Sequence, residues 1–147
     1  MTTAEILAIV EQFIGQADAI LGGEHGDYTD PFILDHLKTV NFMLKSSGID
    51  TGVAVDPVAE TITPAPTDKL GLLLAVKTAT VIIKGDLIKK VRLGELGVSF
   101  KTGATSITTS DAAKRLTDFS DFLMRKSEML ETMFLSEDPN TVILRHS

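Results

Sequence analysis

The sequence predicts a mainly α domain: a four-helix bundle-like body, a short β-hairpin or extended flap, and an extended C-terminal tail. Three observations predict it. Apolar residues recur at three- and four-residue steps in four separate segments, the period of an amphipathic helix. One of these, Leu70 to Ile83, is apolar nearly all round, as a central bundle helix would be. Gly and Pro punctuate the intervals between the segments.

The first helix is expected over about 3–21. Ile6, Leu7, Ile9, Val10, Phe13, Ile14, Ala17, Ile20 and Leu21 make its apolar face, and Glu5, Glu11, Gln12, Gln16 and Asp18 fill the other. Gly22-Gly23 ends it, because Gly reaches the left-handed conformations used at helix C-termini. The second helix, about 30–47, starts at Asp30-Pro31. Asp serves as N-cap, and Pro is tolerated in the first turn. Leu34, Leu37, Val40, Asn41 and Leu44 share one stripe, and Gly48 stops the helix. Ile49 to Pro66 lacks helical periodicity and carries Pro57, Pro64 and Pro66. Val53, Val55 and Ile62 suit short extended pieces there.

The third helix is expected over 67–93, capped by Thr67, with Asp68 at the positive end of the dipole. It would be roughly 37 Å long. Lys77 and Lys84 mark a narrow polar stripe, and Lys89, Lys90 and Arg92 close it at the negative end. Residues 94–109 read as the hairpin or flap, because Val98 and Phe100 alternate with polar residues and Thr105, Ile107 and Thr109 follow a Gly turn. An isolated two-stranded hairpin is only marginally stable, so this one must lean on something. The fourth helix, 110–135, carries Leu116, Phe119, Leu123, Leu130 and Met133 on one face. Ser136 to Asn140 breaks it, and residues 136–147 form the tail, leaving 1–135 as the helical domain.

A chain of 147 residues with 44% hydrophobic residues can build one core without staples. At this length roughly two-thirds of the unfolded surface is buried. The absence of Cys excludes disulfides, thiolate nucleophiles and cysteine metal sites. A net charge of −6 argues against sequence-reading of DNA or RNA, which needs clustered Lys and Arg on the phosphates. The opening Met1 to Glu5 lacks the basic segment and apolar run of a signal peptide. Leu70 to Ile83 is short of the ~20 apolar residues of a membrane span, so no membrane partner is expected.

The residues offer little for catalysis. Glu24, His25, Asp27 and Asp30 cluster in the first loop, but their spacing matches neither a zinc site nor a calcium loop, and a solvated polar loop is the favoured reading. His36 beside Asp35 diverges from it on a helix and reads as a surface or interface residue. No Ser stands in a nucleophile elbow. Gly94, Gly97 and Gly103 are not spaced to cradle phosphate. One Tyr and no Trp make poor stacking platforms for single strands. No catalytic, cofactor or metal residues are assigned, and the chain is expected to be non-enzymatic.

Two features exceed the needs of a self-sufficient bundle. Val142-Ile143-Leu144 is an apolar run after a Pro-containing break, and burying each side chain is worth ~1.5–3 kcal/mol. From Pro139 the tail reaches roughly 30 Å when extended. It can touch a neighbouring subunit, by strand addition for example, or fold back on its own core. The flap, with Val98, Phe100 and Ile107, can likewise cover its own bundle or meet a neighbour.

The order of these features resembles a known family. Leu70-Gly71-Leu72-Leu73-Leu74-Ala75-Val76 is followed by Gly97-Val98-Ser99-Phe100-Lys101-Thr102-Gly103. Thr105-Ser106-Ile107-Thr108-Thr109-Ser110 and Ala112-Ala113-Lys114-Arg115-Leu116 then follow. Over about Asp68 to Met133 the chain looks like the adaptor (head-completion) proteins of tailed-bacteriophage head–tail connectors. The likeness is one of residue types, not of an invariant motif. It implies a helical bundle repeated in a homo-oligomeric ring, commonly a dodecamer, in the virion neck and assembled in the host cytoplasm. Such a ring joins the capsid portal protein to tail or nozzle proteins and lets DNA pass through its lumen without sequence recognition. It gives Val98, Phe100, Ile107, Val142, Ile143, Leu144 and Arg145 the role of portal or subunit contacts. Ile49 to Pro66 departs from the pattern and reads as an insertion facing tail proteins. Two rivals stand beside this reading: another neck or tail-completion ring protein, and a small oligomeric helical regulator or binding module.

Overall fold

A computed structural model gives the architecture. It describes residues 1–20, 28–87 and 103–136, with the backbone alone at 86–87, 103–113 and 136. The elements are α1 (Thr3–Ile20), α2 (Asp30–Ser46), β1 (Ala54–Asp56), β2 (Thr61–Thr63), α3 (Asp68–Ile82), a π-helical turn (Ile83–Leu87) and α4 (Gly103–Ser136). The domain is mainly helical, as its periodicity predicts.

α1 begins with a capping box. Thr2 Oγ1 accepts from the Glu5 amide at 3.1 Å, and Glu5 Oε1 accepts from the Thr2 amide at 3.0 Å. Hydrogen bonding to the carboxyl from the Thr2 amide first, and then from the Thr2 side chain, holds Glu5 below its usual range. Ile6, Leu7, Val10, Ile14 and Ala17 are buried along one face. Phe13 and Ile20 are half-buried at its margin.

α2 is capped one residue earlier than expected. The cap is Thr29, whose hydroxyl accepts from the Phe32 amide at 3.4 Å, and Asp30 is the first helical residue, beside Pro31. Both residues suit an N-terminus; Asp30 acts through its charge on the helix dipole instead of through a cap bond. The C-terminus closes as a Schellman motif. Ile49 N donates to Leu44 O and Gly48 N to Lys45 O, with Gly48 at φ +92°. Leu44 and Ile49, the apolar pair such a motif brings together, are both buried.

Ile49 to Pro66 is anchored onto α2 by one buried amide. Asn41 Nδ2 donates to the Val53 carbonyl at 3.1 Å, and Asn41 Oδ1 accepts from Thr51 Oγ1 at 2.6 Å. Lys45 Nζ also donates to the Val53 carbonyl. The stripe position of Asn41 is thus a buried polar anchor among Leu37, Val40 and Leu44. Beyond it β1 and β2 pair antiparallel, Val55 opposite Ile62, both side chains buried and their strand neighbours exposed. Asp56 Oδ1 accepts from the Val58 and Ala59 amides and shapes the connecting loop. The three prolines border the strands without interrupting them. The Ile62 amide donates to Thr3 Oγ1, which ties the hairpin to the start of α1.

α3 has no exposed position from Leu70 to Ile83. It packs against α1, α2 and α4. Thr67 caps it as expected, accepting from the Leu70 amide at 3.3 Å. Gly71 lies under Met1, where an added Cβ would stand 2.6 Å from the Met1 sulfur. The α-helical geometry runs to Ile82. The chain continues as the π-helical turn to Leu87, and residues 88–93 lie outside the described residues.

Among the described residues the hairpin lies at 54–63, where none was predicted, and the second half of the expected flap is helical. Residues 103–109 are the first two turns of α4, so the expected start of that helix at 110 is corrected to Gly103. The β-branched Thr105, Ile107, Thr108 and Thr109 mimic a strand, but each costs a helix only a few tenths of a kcal/mol. A helix that continues for 34 residues outweighs that local preference. Residues 94–102 lie outside the described residues.

Asn41→Ala is expected to destabilise the domain by about 1–3 kcal/mol, since it leaves the buried Thr51 hydroxyl without its acceptor. Urea unfolding should show a lowered midpoint with an unchanged slope. Lys45→Ala should cost less, because Asn41 still serves the same carbonyl.

Candidate interaction surface

α4 presents three different faces, set by its 3.6-residue period. Leu116, Ser120, Leu123 and Ser127 are buried, with Phe119, Leu130, Phe134 and Leu135 half-buried around them.

The second face is a groove of about 270 Å³ between α3 and α4. It is lined by Lys77, Thr80, Val81 and Lys84 from one side and by Met124, Ser127, Glu128 and Glu131 from the other. Its central feature is a hydrogen-bonded ion pair between Lys77 and Glu131, each less than a quarter exposed. The Thr80 hydroxyl donates to the Val76 carbonyl and the Ser127 hydroxyl to the Met124 carbonyl, each within its own helix. The groove therefore works as a brace: a half-buried charge pair locks α4 against the central helix.

The third face is apolar and open to solvent. Phe122 is 56% exposed, Met129 55% and Met133 44%. At i, i+7 and i+11 they fall within about 40° of one another on the helix and span ~16 Å of it. Arg115 continues the same line one step of seven before Phe122, and Arg125 and Lys126 border it on either side. Met133 was expected on the core face; it belongs to this open face instead. Its 44% exposure follows from its place on the helix, well round from Leu123 and Leu116. Phe42 and Met43 on α2 and Val58 at the hairpin tip are the other exposed large apolar side chains among the described residues.

His36 has a packing role. Its Nδ1–H donates to the Phe32 carbonyl at 3.0 Å, and its ring lies 4.5 Å from that of Phe32, which stacks on Tyr28 at 4.9 Å. Among the described residues no group of three or more His, Asp or Glu is placed to hold a metal ion. No helix of the described residues is long and apolar enough to cross a membrane.

Of the residues assigned to contacts from sequence, Ile107 lies in the second turn of α4. Val98, Phe100, Val142, Ile143, Leu144 and Arg145 lie outside the described residues, as do Glu24, His25 and Asp27. Sequence reasoning missed the Phe122–Met129–Met133 line. Its signal was present: apolar residues stepping by seven and four along a helix whose core face was already supplied by Leu116, Leu123 and Leu130.

No protein-family model matches the chain, and no curated protein or solved structure matches it. Function is therefore argued from the chain's own surfaces.

Removing one partner of the Lys77–Glu131 pair should be more harmful than removing both, because a single deletion strands a half-buried charge. A cycle of Lys77→Met, Glu131→Leu and the double variant, followed by urea unfolding, is expected to give a coupling of about 1 kcal/mol.

Proposed function

We propose that this chain is a non-enzymatic subunit of a homo-oligomeric ring in the neck of a tailed bacteriophage, where it joins the capsid portal to the tail and lets DNA pass. The observation that carries the reading is the open apolar line on α4. The bundle closes its core without Phe122, Met129 and Met133, and apolar side chains lined up in this way mark a contact with another surface.

Three further features support it. The order of residue types over Asp68 to Met133 resembles the adaptor proteins of head–tail connectors. The tail supplies a second apolar segment, Val142-Ile143-Leu144, close in sequence to the end of α4. A surface that makes one contact with a different surface of the next copy generates a ring when the rotation closes. The net charge of −6 suits a lumen through which DNA slides, since strong binding to phosphates requires clustered cations.

The test is the solution mass over a concentration series, with electron microscopy of the largest species, alone and with portal protein. A closed ring on a portal is the expected result. A compact two-fold dimer that ignores the portal contradicts the reading and favours the helical regulator.

A further inference from the structure

We draw no further inference here: the strongest candidate, the open apolar face of α4 formed by Phe122, Met129 and Met133, carries none because nothing in the structure shows what covers it.

Discussion

The whole domain depends on covering α3. A helix with no exposed residue from Leu70 to Ile83 cannot exist in water unless other elements surround it. Each fully buried Leu or Val contributes on the order of 2 kcal/mol, and α3 supplies Leu70, Leu73, Leu74, Val76 and Ile82. α1, α2 and α4 pack on it from three directions, and the β1–β2 hairpin adds Val55 and Ile62 to the same core. The polar anchors follow from that demand. Asn41 holds the β1 approach to α2, Thr3 receives the Ile62 amide, and Lys77 reaches out of α3 to Glu131.

The same demand explains what is left over. α3 is 15 residues long and α4 is 34, ~51 Å against ~22 Å. α4 is therefore longer than α3 and the π-helical turn that continues it. Around its circumference one arc goes to the core, a second carries the Glu131 brace, and a third bears Phe122, Met129 and Met133 in the open. A bundle that is already closed gains nothing from the third arc, which is why it reads as a surface for another molecule.

Much of this was legible in the sequence, for identifiable reasons. The helices showed themselves through the spacing of Ile6, Val10 and Ile14, of Leu34, Leu37 and Leu44, and of Leu116 and Leu123. α3 was legible as the central helix because Leu70 to Ile83 has apolar residues on every side. Val55 and Ile62 were read as extended, although their pairing was not. The errors share one cause: local signals that two structures can satisfy equally. Thr29 and Asp30 both suit a helix start, and sequence does not say which one bonds an amide. Thr105, Ile107 and Thr109 alternate like a strand, yet the helix runs through them, because propensity is small beside the continuity of 34 residues. Met133 keeps helical spacing with Leu130, but a helix with a broad apolar arc does not reveal from spacing alone where burial stops. The open line on α4 was hidden for a related reason: Met133 is counted toward the core by its spacing, and Phe122 and Met129 fall on neither of the faces that spacing defines.

Native-state hydrogen exchange tests the dependence on α3 most directly. If the domain is built on that helix, the amides from Leu73 to Ile82 are the slowest in the protein. They exchange only through global unfolding, with a urea dependence equal to that of the whole domain. If they instead exchange by local opening, as fast as the amides of β1 and β2, then α3 is not the element on which the others depend.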